Sequence, residues 1–99
     1  MNNHLYILGR LKRYFESISQ EECSSRPNYV AILKVKRDFI ELVADKLKEN
    51  CNGLKVLEST VFKCSKGRSL LTFLMKSGRL VIEAANEDEA FRILEELFG

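Results

Sequence analysis

Leu5, Leu8, Leu11, Phe15 and Ile18 recur at spacings of three and four, which places them on one stripe of an amphipathic helix over residues 3–19. Arg10, Lys12, Arg13, Glu16 and Ser17 fall largely off that stripe. Gly9 costs about 1 kcal/mol relative to Ala inside a helix and suits a close backbone contact. The polar run from Ser19 to Pro27 has neither helical nor strand periodicity. Residues 1–20 thus read as an N-terminal helix and 21–27 as a linker loop, with Pro27 disfavouring helix at Arg26 and delivering the chain extended.

From residue 28 the pattern changes. Tyr29-Val30-Ala31-Ile32-Leu33-Lys34-Val35 is rich in β-branched residues and short, which predicts a strand. Asp38 then supplies a carboxylate at a helix start, with Phe39, Ile40, Val43, Ala44 and Leu47 as the apolar face behind it. Gly53 tolerates the left-handed conformation that closes helices, so this one should stop near Asn52-Gly53. Three strands follow, near 54–64, 69–76 and 79–85. Ser65-Lys66-Gly67-Arg68 and Ser77-Gly78 mark the two tight turns between them. Asn86, with Glu89 three residues on, has the form of a capping box opening a last helix whose face is Ala90, Ile93, Leu94 and Leu97.

The predicted order is an N-terminal helix followed by β-α-β-β-β-α: an α+β fold with an antiparallel sheet backed by helices, 28–98 forming the core of one domain over 1–99. Leu71, Phe73 and Met75 alternate with Leu70 and Leu74, so neither face of the sheet reads as simply solvated. The first helix covers the second face, or that face meets a partner.

Composition bounds the picture without redrawing it. Of 99 residues, 45% are apolar and 30% charged, the balance of a globular protein able to bury one core unaided. No segment approaches the roughly 20 apolar residues of a membrane span, and Met1-Asn2-Asn3-His4 lacks a basic leader region. A cytoplasmic location without membrane association is the expectation. Cys23, Cys51 and Cys64 are odd in number and match no zinc spacing, which favours free thiols packed as small apolar residues.

Catalytic ingredients are scarce. His4 is the sole histidine and lies at a terminus, a poor support for Cys-His or Ser-His chemistry. Glu87, Asp88, Glu89, Glu95 and Glu96 share the last helix rather than converging from separate elements, so they read as dipole and solubility chemistry. Gly67 and Gly78 stand without a phosphate-loop pattern. The expectation is a non-enzymatic protein with no metal and no cofactor.

Charge is more informative. The net of +2 conceals a segregation: residues 55–79 hold six basic residues and one acidic, whereas 86–99 hold one basic and five acidic. A basic sheet surface made by Lys63, Lys66, Arg68, Lys76 and Arg79 suits a phosphate backbone, with Phe62 or Phe73 near enough to stack bases. The alternative is that these cations sit in turns and edges, where they discourage strand-to-strand aggregation.

The run Ser69-Leu70-Leu71-Thr72-Phe73-Leu74-Met75-Lys76-Ser77-Gly78-Arg79-Leu80-Val81-Ile82-Glu83-Ala84-Ala85, inside the β-α-β-β-β-α order of 28–98, resembles one repeat of the TATA-binding protein family. The shared features are an apolar strand, a Ser-Gly-Lys or Ser-Gly-Arg turn, a second apolar strand and an acidic-started helix. The resemblance implies an antiparallel sheet whose open face meets the DNA minor groove, with helices behind it. It also implies a dimer, since that family carries two repeats, and puts Met75 where the family has a wedging phenylalanine.

Two functions follow. One is DNA binding through the basic sheet surface. The other is a protein-interaction subunit or homodimer that uses the apolar sheet face and the first helix.

Overall fold

The computed structural model describes residue 9, residues 11–22 and residues 29–98, with side chains described up to Ser19 and again from Tyr29. The elements are β1 (Phe15–Glu22), β2 (Tyr29–Val35), a 3₁₀ turn (Arg37–Phe39) leading into α1 (Ile40–Asn50), β3 (Asn52–Leu57), β4 (Val61–Lys66), β5 (Ser69–Leu74), β6 (Arg79–Ala84) and α2 (Glu87–Phe98). The strands form one sheet in the order β1-β2-β6-β5-β4-β3, each neighbouring pair antiparallel. The fold is α+β.

Alternation along each strand divides the sheet into two unlike faces. Tyr29, Ala31, Leu33 and Val35 of β2, Leu80, Ile82 and Ala84 of β6, Leu71 and Phe73 of β5, and Phe62 and Cys64 of β4 are buried. They belong to one core with Val43, Ala44 and Leu47 of α1 and Ala90, Phe91, Ile93, Leu94, Leu97 and Phe98 of α2. Both helices therefore lie on the same side. Leu11 and Phe15 join that core, and the Tyr14 ring sits 5.3 Å from Phe39 and 5.7 Å from Phe98. The described part of the N-terminal segment thus packs on the helical side.

Three expectations need correction. The helix over 3–19 does not extend to its predicted end: Gly9 and Leu11 are helical, but residues 15–22 form β1, and residues 1–8 lie outside the described residues. A β-bulge explains the misreading. Phe15 pairs with Val35 and Ile18 with Leu33, the register shifting between Phe15 and Ser17. The extra residue sets two core-facing side chains three positions apart, which imitates helical spacing. Glu21 and Glu22 belong to β1 as well, so the predicted linker 21–27 overlaps a strand; residues 23–28 lie outside the described residues.

The second correction is an additional strand. The run 54–64 splits into β3 and β4 around a turn in which Glu58 (φ 52°) and Ser59 (φ 61°) both adopt left-handed conformations, closed by the Thr60 N–H donating to Leu57 O at 3.1 Å. Hairpins favour two positive-φ residues in sequence because their twist matches the strands. Here neither is glycine, so the turn carries no recognisable residue signal. Gly67 (φ 62°) and Gly78 (φ 71°) do occupy the predicted turns. At Gly78 an added Cβ would lie 3.3 Å from Val35 O, whose N–H in turn donates to Gly78 O at 2.6 Å.

Third, Cys51 and Cys64 form a disulfide rather than two free thiols; Cys23 lies outside the described residues. Cys51 follows α1 immediately, and Cys64 lies on β4 beside β3, a proximity created by the unforeseen hairpin. A crosslink spanning 13 residues is worth about 3 kcal/mol on the loop-entropy scale.

At the far end, Asn86 Oδ1 accepts the Glu89 N–H at 2.8 Å, the first half of the predicted capping box. The Glu89 carboxylate bonds Arg92.

Because Ser59 holds a left-handed conformation that costs an L-residue roughly 1–2 kcal/mol, Ser59→Gly should raise stability by about 1 kcal/mol in urea unfolding. An unchanged or lower midpoint would contradict the strained-turn account.

Candidate functional site

The face of the sheet away from α1 and α2 carries the positions that alternate with the core. In the paired registers these are Val30, Ile32 and Lys34 of β2, Arg79, Val81 and Glu83 of β6, Leu70, Thr72 and Leu74 of β5, Val61, Lys63 and Ser65 of β4, and Lys55 and Leu57 of β3. Among these described positions none is fully buried. Leu70 is 54% exposed and Leu57 46%.

One row across the sheet reads Lys34, Arg79, Leu74, Val61 and Leu57. The next reads Ile32, Val81, Thr72, Lys63 and Lys55, and a third Val30, Glu83, Leu70 and Ser65. The face is therefore an aliphatic field flanked by two pairs of cations: Lys34 beside Arg79 at one end, Lys63 beside Lys55 toward the β3 edge. Within β2 to β6 Glu83 is the one acid of these rows; β1 continues them with Ser17 at Lys34, Ser19 at Ile32 and Glu21 at Val30.

The five cations singled out from the sequence do not form one surface. Lys63 and Arg79 lie on the open face. Arg68 and Lys76 are exposed in the β4–β5 and β5–β6 turns, at opposite ends of the sheet. Lys66 turns the other way: its Nζ lies 3.4 Å from Glu96 of α2 and donates to Asn50 O at 3.1 Å. Lys66 pairs with Ser69, a buried core-face position, so strand alternation assigns it to the helical side. Lys34 and Lys55, absent from that set, do belong to the open face. The Lys34 Nζ donates to Ser77 O at 2.7 Å, tying it to the turn beside Arg79.

The phenylalanines expected to stack bases are unavailable for it. Phe62 is 4% exposed and Phe73 fully buried, packed 6.4 Å apart on the core face. No aromatic side chain occupies the open-face positions of β2 to β6. Met75 packs against the core.

Among the described residues no group of three or more His, Cys, Asp or Glu side chains is placed to hold a metal ion, and no helix is long and apolar enough to cross a membrane. Comparison of the chain with protein-family models, with curated proteins and with solved structures finds no match.

Opposite consequences are expected for two neighbouring lysines. Lys63→Ala should leave stability within about 0.5 kcal/mol of the parent, because an exposed strand position contributes little. Lys66→Ala removes a partly exposed ion pair and a carbonyl contact, costing about 1 kcal/mol. Parallel denaturant titrations check this, and equal effects would contradict the assignment of the two lysines to different faces.

Proposed function

We propose that the protein is a non-enzymatic binding module whose open sheet face engages a nucleic-acid duplex. The observation that carries this reading is the charge of that face. Lys34, Lys55, Lys63 and Arg79 stand against Glu83 alone in the paired rows of β2 to β6, while acidic residues gather on α2 behind the sheet. Such an arrangement steers a polyanion to one side of the molecule.

Aliphatic side chains between the cations favour duplex over single strand. Single-strand binders stack bases on aromatic rings, which this face lacks, whereas aliphatic surface and flanking cations suit a widened minor groove. From β2 onward the element order is β-α-β-β-β-β-α, with both helices on one side. That is one strand more than the β-α-β-β-β-α order over which the resemblance to a TATA-binding protein repeat is drawn, and the resemblance enters the proposal only as a guide to the face used. Arg68 and Lys76, in the turns at the two ends of β5, would flank a duplex that lies across the strands.

A second reading, a homodimer or protein-interaction subunit, is favoured by the exposure of Leu70 and Leu57 on the same face. The two readings part on salt. Neutralising one phosphate by each of four open-face cations gives a slope of log affinity on log salt near −3.6, roughly a hundredfold loss between about 50 and 200 mM. Fluorescence anisotropy with a labelled duplex of about 20 base pairs measures it. Absence of binding at low salt, with the chain sedimenting as a dimer in the same buffer, would replace the first reading by the second.

A further inference from the structure

Lys55 and Lys63 are direct cross-strand partners on the open face, in a row continued by the Thr72 hydroxyl. Like charges in that relation destabilise a strand pair. Neither lysine takes part in an ion pair among the described residues, although Glu58 stands in the adjoining turn. Two lysines without an ion pair among the described residues and a threonine in one row bring together donors of the kind that a phosphate oxyanion takes.

Half of this donor set is weakly held. No residue of β3 is fully buried, Leu54 alone being partly covered, and Val56 is 48% exposed on the helical side. β3 is the sheet edge and pairs only with β4. Its register is interrupted between Asn52 and Lys55, and it ends in the strained Glu58-Ser59 turn. Against these weak contacts stands the Cys51–Cys64 bond, which fixes the start of β3 to β4 one residue from Lys63. Cys64 is buried in the core, whereas Cys51 is partly accessible.

We infer that Lys55 and Lys63 form a phosphate-binding clamp of the open face, and that the Cys51–Cys64 disulfide holds the clamp closed, so that a dithiol reductant weakens polyanion binding. The nucleic-acid form of this inference rests on the proposed function; the clamp itself requires only a phosphate. In the redox step one reductant thiolate attacks Cys51 Sγ. The S–S bond breaks with its electron pair on Cys64 Sγ, and the second reductant thiolate then displaces Cys51. Two protons from the reductant end on the two cysteines, and the reductant leaves as a cyclic disulfide. β3 then loses the crosslink at its start and keeps only the Glu58–Thr60 turn to β4; it frays from β4, carrying Lys55 away from Lys63, while β2, β5 and β6 keep their buried core.

The test uses the full chain with two probes, a labelled DNA duplex and inorganic tripolyphosphate, each with oxidised protein, protein reduced by dithiothreitol, and the Lys55→Ala variant. Expected is a three- to tenfold weaker affinity for both probes on reduction, the same loss for Lys55→Ala, and no further loss when Lys55→Ala is reduced. The salt slope for the duplex should fall by about 0.9, one phosphate contact. Hydrogen exchange should show the β3 amides opening on reduction while β2 and β6 stay protected. Duplex binding insensitive to both reduction and Lys55→Ala overturns the clamp and leaves the proposed function standing. Redox-sensitive tripolyphosphate binding without duplex binding keeps the clamp and removes the proposed function. No binding of either probe overturns both.

Discussion

Everything in this molecule depends on burying one face of a six-stranded antiparallel sheet while leaving the other uncovered by α1 and α2. Large side chains such as Phe73, Leu80, Ile82 and Leu33 all point to the helical side and are fully buried. Because side chains alternate strictly along a strand, filling that side commits the intervening residues to the other. Val30, Ile32, Val81, Leu70, Leu74 and Val61 are thus held on a surface that neither helix covers. Hydrophobic burial under α1 and α2 explains the core-facing set; for the opposite, also aliphatic set the explanation we propose is a partner.

How far the fold was legible follows from which signals are local. β2, α1, the β5–β6 hairpin and α2 were readable because a short β-branched run, an apolar helical stripe, a glycine turn and an asparagine cap each act within a few residues. β1 was not, because the bulge between Phe15 and Ser17 gives Phe15 and Ile18 a spacing that a helix also produces. The β3–β4 turn was hidden because Glu58 and Ser59 adopt a conformation normally assigned to Asn and Gly, so two strands read as one. The Cys51–Cys64 pairing depended on that turn, being a contact that exists only once β3 folds back on β4.

The candidate site was legible in its sign and only partly in its membership. A basic stretch over residues 55–79 singled out that part of the chain, yet charge along a sequence carries no face. Strand parity separates Lys63 from Lys66, which is drawn to Glu96 on α2, and it adds Lys55 and Lys34. The same parity removes Phe62 and Phe73 from any role with bases. What survives is an aliphatic field between two cation pairs, a chemistry suited to a phosphate-bearing duplex lying across the strands, with the weakly anchored β3 edge as its adjustable border.

Methyl NMR of the protein with a DNA duplex at low salt tests most directly whether this open face is the binding surface. Valine, isoleucine and leucine methyls report the two faces separately. The account predicts shifts at Val30, Ile32, Val61, Leu70, Leu74 and Val81, while Val43, Leu47, Ile93 and Leu94 beneath the helices stay in place. Shifts confined to the helical side, or none at a concentration where anisotropy shows binding, would contradict it.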